Sequence, residues 1–219
     1  MTTVIPHMDF DVASPRLSAD FKLVLLGESS VGKSSILQRV QNGTFDDTKA
    51  STVGAAFVSK KVSKDNGDKM VNLQIWDTAG QERFHNLTPL YYRNSNMAFI
   101  VFDMTSIDSF RKAEYWIRDL ETYKNDNNSS LKLVLVGNKC DLVKSEGCAF
   151  EDEIRQFLNV NPEISKYFKV SAKENVGLAE LFEYVVDSVD DELFHEFSAE
   201  NNGIIDLSLK KQQPSSCQC

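Results

Sequence analysis

Three stretches of the chain are almost continuously apolar: Phe21 to Gly27, Met97 to Met104 and Leu131 to Gly137. Such runs predict strands buried on both faces, because a strand with one wet face would alternate polar and apolar positions. A shorter and weaker run, Tyr167 to Val170, predicts another. Between these runs the spacing changes to a helical period. Ser106 stands where it can cap a helix whose inner face is Phe110, Ala113, Ile117 and Leu120. Glu151 to Val160 carries Ile154, Phe157 and Leu158, and Leu178, Leu181, Phe182, Val185 and Val189 mark a further face. Strands alternating with helices predict an α/β fold, doubly wound, with helices on both faces of a mostly parallel sheet. One place breaks the alternation. Ala55 to Val62 and Met70 to Asp77 are strand-like with no helix between them, and Lys64-Asp65-Asn66-Gly67-Asp68 connects them through an Asn-Gly hairpin signal. The sheet is therefore expected to have six strands, one of them antiparallel.

Composition narrows the class. The chain has 219 residues, 42% hydrophobic and 26% charged. Those are ordinary globular values and rule out collagen-like, coiled-coil and wholly disordered chains. No apolar run approaches the roughly 18 to 20 residues of a spanning helix. Met1 to Asp20 lacks the pattern of a secretory signal, and Met-Thr-Thr excludes N-myristoylation. Residues 1–19 are expected to form a flexible extension, 20–197 the folded domain and 198–219 a variable tail. The formal charge is −8, of which the stretch from Asp187 onward, with seven acids against Lys210 and Lys211, carries −5. No basic patch points to a nucleic-acid partner. Four cysteines do not make a disulfide scaffold, but Cys217 and Cys219 sit together at the end.

The candidate chemistry begins at Gly27-Glu28-Ser29-Ser30-Val31-Gly32-Lys33-Ser34, which matches G-x-x-x-x-G-K-[ST] after a predicted strand and before a helix-compatible segment, Ser34 to Val40. That is the context a phosphate loop requires. Glycines let the backbone N–H groups of Ser29, Ser30, Val31, Gly32, Lys33, Ser34 and Ser35 turn toward phosphate oxygens. The helix N-terminus adds a positive dipole end. Lys33 is expected to reach the outer phosphates and Ser34 to bind Mg²⁺. A dinucleotide fingerprint is absent.

Asn138-Lys139-Cys140-Asp141 follows a predicted strand, at the end where doubly wound sheets bind ligands. The two acceptors of Asp141 suit the N1–H and 2-amino donors of guanine, which adenine lacks. Asn138 can bridge to the purine edge, and the Lys139 stem can lie along its plane. Alone this tetrapeptide is a weak signal; behind a phosphate loop it is a strong one. Ser171-Ala172-Lys173 fits a further base contact through the Ala172 N–H. Asp77-Thr78-Ala79-Gly80-Gln81 ends another strand. Asp77 can hold the magnesium shell through water, Gly80 permits close approach to a terminal phosphate, and Gln81 can orient an attacking water. Thr52 can give Mg²⁺ a second hydroxyl.

These elements, in this order, resemble the Ras superfamily of small GTPases. More narrowly, Thr52-Val53-Gly54-Ala55-Ala56-Phe57, Leu73 to Phe84 (LQIWDTAGQERF), Tyr91-Tyr92-Arg93 and the terminal Cys217-Gln218-Cys219 are similar to the Rab family. The Gly-Ala-Ala-Phe segment is most similar to its early-endosomal branch. The resemblance implies a GTP/GDP switch regulating endocytic traffic from the cytoplasmic face of an early endosome or phagosome, cycling through the cytosol. Thr52 and Gly80 would sense the γ-phosphate, and hydrolysis would release both segments. Phe45 matches the aromatic that packs on guanine. Phe57, Trp76 and Tyr91 match a hydrophobic triad read by effectors. Catalysis would be positioning and electrostatics, with Gln81 and Lys33 as its residues, slow until a GTPase-activating protein supplies an arginine. An exchange factor, a GDP-dissociation inhibitor and an escort protein are implied as further partners. The Cys-x-Cys ending implies two geranylgeranyl groups on Cys217 and Cys219, because one chain anchors only marginally. A monomer is expected.

Some positions depart from the family pattern. Ser29 and Ser30 stand where small residues are common, and Asn94-Ser95 follows Tyr92-Arg93 in place of Gly-Ala. Val160 to Tyr167 suggests no function. Two alternatives stay open at this point: a GTP-binding scaffold that barely hydrolyses, and a soluble nuclear-transport type of GTPase. A Rab acting away from endosomes is the nearer variant.

Overall fold

The strand that begins the domain starts earlier than its apolar run. In the computed structural model, which describes residues 17–47, 52–80, 88–127, 130–143 and 147–196, β1 covers Leu17–Leu26. It pairs in parallel with β3 (Lys69–Thr78) along nearly its whole length and with β4 (Met97–Asp103) over its second half. The parallel set continues through β5 (Lys132–Asn138) to β6 (Ile164–Lys169). β2 (Ala55–Lys64) runs antiparallel to β3, giving the order β2-β3-β1-β4-β5-β6. The six expected strands are present. A seventh was not expected: β7, only His195–Glu196, pairs antiparallel with Ser18 and Leu17. Leu17 and Ala19, inside the stretch assigned to the extension, are thus part of the sheet, and Ala19 is buried.

Continuous apolar runs are needed because the sheet is covered twice. Ala19, Phe21, Leu23 and Leu25 of β1 face one core with Phe99, Val101, Val134 and Val136, while Val24 and Leu26 face the other with Ile100, Phe102, Leu133 and Leu135. The first core is closed by α1 (Lys33–Asn42) and α5 (Leu178–Asp187) through Ile36, Leu37, Leu181 and Val185. The second is closed by α3 (Ile107–Asn127) and α4 (Glu151–Val160) through Phe110, Ile117, Leu120, Ile154 and Phe157, with Tyr92 of the short α2 (Thr88–Tyr92). Truncating a fully buried residue such as Leu135 to alanine would cost about 2–5 kcal/mol, enough to threaten a domain of ordinary stability.

Local chemistry sets the boundaries. Ser106 caps α3 by accepting a hydrogen bond from Ser109 N–H. α4 occupies the residues its pattern predicts and ends at Asn161, whose amide donates to Phe157 O at 2.6 Å. β6 then starts at Ile164, three residues before the run that predicted it, so half of the Val160–Tyr167 segment is strand. Asn94, one of the departures from the family pattern, has φ 57°. Asparagine tolerates that left-handed conformation better than most residues, so the turn keeps its shape without glycine.

Candidate functional site

The predicted loops after β1, β3, β5 and β6 leave the sheet at the C-terminal ends of its parallel strands, the side on which open α/β sheets bind ligands, and the segment with Phe45 and Thr52 enters antiparallel β2 at that same end. They enclose one cleft of about 410 Å³. Ser29, Ser30, Gly32, Lys33, Ser34, Ser35, Phe45, Thr52, Gly80, Asn138, Lys139, Asp141, Ala172 and Lys173 line it. Val31, Asp77 and Ser171, also predicted, are buried behind that lining. Gln81, Cys217 and Cys219 lie outside the described residues.

The loop after β1 owes its course to close packing. A Cβ at Gly27 would stand 2.2 Å from Val101 O, and φ is 140° there. A Cβ at Gly32 (φ 98°) would stand 2.2 Å from Asn138 Nδ2. The space that Gly32 leaves is therefore filled by the Asn138 amide, which donates to Val31 O at 2.8 Å. Asn138 Oδ1 accepts from Ala172 N–H at 3.1 Å. One side chain thus ties the loops after β1, β5 and β6 together. The Ala172 N–H, expected to meet a base, is donated to Asn138 in this structure.

Lys33 is buried at the cleft floor, where Nζ donates to Gly27 O and Glu28 O, both at 2.9 Å. Desolvation lowers its pKa to about 8, against the opposing fields of Asp77 and Glu28. Beside it, Ser34 Oγ donates to Asp77 Oδ2 at 2.5 Å and stands 2.7 Å from Thr52 Oγ1, which is itself 3.3 Å from Asp77 Oδ2. Three hard oxygen donors from three segments converge here. That donor set fits Mg²⁺, which takes one or two protein oxygens and fills its shell with phosphate and water. Gly80 closes the same end: a Cβ there would meet Glu28 C at 2.4 Å and Ser29 N at 2.5 Å.

At the other end Asp141 Oδ1 accepts from Ser171 Oγ at 2.5 Å. Lys139, with φ 64°, ion-pairs with Asp103 Oδ2 at 2.7 Å. Burial of Asp103 opposes its ionisation, but hydrogen bonds from Lys139 and Thr105 outweigh that and hold its pKa below the ordinary value. Phe45 packs against the first core with the Arg39 guanidinium 5.9 Å from its ring centre. Arg39, Thr78, Asp46, Asp47 and Leu142 were missed by sequence reasoning. The last four line the cleft; Asp46, Asp47 and Leu142 sit beside motifs, and Thr78 sits inside one without a role of its own in it. Arg39 gave one signal, as the basic residue of α1's last turn, and that reads as a partner for the helix dipole.

Away from the cleft, Phe57 and Trp76 are cross-strand neighbours with ring centres 5.1 Å apart, and Tyr91 is 6.1 Å from Trp76. Phe57 is 53% exposed, while Trp76 and Tyr91 are half-buried against the second core, so the triad runs from the core edge out to the surface.

A loop of phosphate-loop sequence, the clustered Ser34, Thr52 and Asp77 oxygens and the Asn138–Asp141 loop meet at the C-terminal ends of the strands, the arrangement of an α/β protein of the phosphate-loop class. Comparison with known proteins makes the class specific. The model of the Ras family matches residues 22–191, and the chain belongs to that family. It is similar to GTP-binding protein YPT52 of Saccharomyces cerevisiae, 37% identical over 90% of this chain and 98% of the relative. It is also similar to Ras-related protein Rab-21 of Mus musculus and Homo sapiens, each 43% identical over 74% of this chain and 69% or 68% of the relative. As a Rab-type member of the family the chain is a small GTPase, with GTP as substrate and GDP as product, that regulates vesicle traffic. The scaffold and nuclear-transport alternatives find no support among these relatives.

Proposed function

We propose that the cleft holds guanine nucleotide with Mg²⁺ and that the protein switches effector binding on early-endosomal membranes. The observation that carries this is the convergence on one cleft of Lys33, the Ser34–Thr52–Asp77 oxygens and the Asn138–Asp141 loop. Lys33 exchanges its two carbonyl partners for phosphate oxygens, which repays its desolvation. Backbone N–H groups from Ser29 to Ser35 cradle the phosphates. Ser34 and Thr52, with Asp77 through water, would hold Mg²⁺, which when bound neutralises charge on the phosphates. Gln81 orients the attacking water, and Gly80 leaves room for a terminal phosphate against the loop after β1. Asp141 accepts from guanine while Ser171 fixes its carboxylate. Asn138 holds the three loops in register for Lys139, Ala172 and Lys173, and Phe45 covers the base. Phe57, Trp76 and Tyr91 form the effector surface. Exchange factor, activating protein, dissociation inhibitor and escort protein act on this body, and prenyl groups on Cys217 and Cys219 anchor it.

Single-turnover hydrolysis tests the catalytic reading. We expect an intrinsic rate on the order of 10⁻⁴ to 10⁻³ per second that falls in Gln81→Leu. A rate indifferent to Gln81→Leu would refute Gln81's role. Tagged Gln81→Leu should mark early endosomes; another membrane would keep the Rab assignment and discard the compartment.

A further inference from the structure

Arg39 lies half-buried at the end of α1 and spreads its guanidinium over three pieces of chain. Nε donates to Ala172 O at 2.9 Å, Nη2 to Lys173 O at 2.6 Å and Nη1 to Gly43 O at 2.6 Å. The same group stands 5.9 Å from the Phe45 ring centre, within cation–π range. Ala172 is therefore held at both of its backbone groups, its N–H by Asn138 and its carbonyl by Arg39. The two loops that flank the acidic end of the cleft, one with Phe45 and one with Ala172 and Lys173, come from opposite ends of the chain. Arg39 binds both.

We propose that Arg39 is a positioning residue for nucleotide retention. Its planar fork fixes the Phe45 loop at one distance from the Ala172–Lys173 loop, so the slot for the base keeps its width and guanine nucleotide leaves slowly. The fork reaches Gly43 O on one loop and the Ala172 and Lys173 carbonyls on the other at the same time. An ammonium can take two neighbouring carbonyls, as Lys33 does, but it is one point of charge with no planar spread to span both loops, and it stacks less well on an aromatic face. The proposal rests on the assignment of the cleft as the guanine site.

The test is release of a fluorescent N-methylanthraniloyl-GDP from the full chain, chased by excess GDP at fixed Mg²⁺ and salt. Arg39→Ala is expected to speed release about tenfold or more, since three charge-assisted bonds are lost. Arg39→Lys is expected to release like the alanine variant, although it keeps the charge and most of the length. In the Arg39→Ala/Phe45→Ala double variant the accelerations are expected to fall short of their product, because the two residues act on one loop. Wild-type release in Arg39→Ala or in Arg39→Lys overturns the proposal, and so does a full product in the double variant. If Arg39→Ala does not fold by circular dichroism, Arg39→Lys alone decides. Asp141→Ala and Phe45→Ala separate the two failures. If both speed release and the Arg39 variants do not, only this proposal falls; if neither does, the guanine-site assignment falls with it.

Discussion

At the scale of single residues the site is built from compromises that ligand binding resolves. Lys33 is the sharpest. Its burial depresses its pKa to about 8, so the folded chain without nucleotide carries a cation that water would hold more comfortably. Phosphate at the cleft must raise that pKa, and linkage then requires proton uptake on binding wherever Lys33 is partly neutral beforehand. At pH 8.5, calorimetric titration of nucleotide-free protein with GDP in two buffers of different ionisation enthalpy should reveal a net proton uptake, absent at pH 7. No uptake at pH 8.5 would mean that phosphate does not meet this ammonium. The residues that sequence alone revealed are those whose chemistry is tied to spacing: Gly32, Lys33 and Ser34 in one motif, Asn138 and Asp141 in another. Arg39 was not legible because its partners are backbone carbonyls, two of the three more than 130 positions away, which any residue type supplies. The double use of Asn138, as donor to Val31 and acceptor from Ala172, was hidden for the same reason.

At the scale of elements, legibility follows periodicity. α4 and the antiparallel pair β2–β3 were readable because each carries a pattern with a stop signal; the Asn66-Gly67 turn has positive φ at both residues. β7 was not readable: two residues have no period, and what makes them a strand is the start of β1, whose side away from β3 is not covered by β4. The turn between α4 and β6 carries a testable consequence. Glu163 there meets Glu121 of α3, and the hydrogen bond that protonated Glu121 donates to Glu163, with burial and the Glu163 charge added, raises the Glu121 pKa to about 7 against the opposing Lys124 and Arg118. A carboxyl with a raised folded-state pKa holds its proton better folded than unfolded. Its contribution to stability is full below the ordinary value of 4.5 and is lost as pH rises through 7. Glu121→Gln should therefore melt higher than the parent at pH 8, with a smaller drop in Tm between pH 5 and pH 8. Thermal melts of the GDP-loaded proteins by circular dichroism would check it, and parallel pH profiles would disprove it.

At the scale of the whole molecule, charge and connectivity decide how the domain meets a membrane. The stretch from Asp187 onward holds most of the net negative charge, so anionic lipid repels it between Asp187 and Asp206, and Lys210 and Lys211 alone stand between Asp206 and the terminal cysteines as attracting charges. Unprenylated full-length protein is expected to stay in the supernatant when sedimented with phosphatidylserine-rich vesicles at low salt. Co-sedimentation would shift the anchor from lipid to protein charge. The root of that stretch is fixed to the body. Lys132 binds Asp190 at 3.0 Å and Ser188 O at 2.7 Å, Lys69 binds Asp191 at 2.8 Å, and Phe194 lies under Lys64 and Lys69. β7 then pairs with Leu17 and Ser18, at the opposite end of β1 from the cleft. A ten-residue strand puts those ends about 30 Å apart. From Glu196 to Cys217 the backbone can pay out no more than about 75 Å, whatever its path. Were lipids carried at Cys217 and Cys219, the domain would be a buoy on a line made fast at its keel: the line would set how far it ranges from its own membrane, and the cleft would lie at the end of the hull away from the mooring.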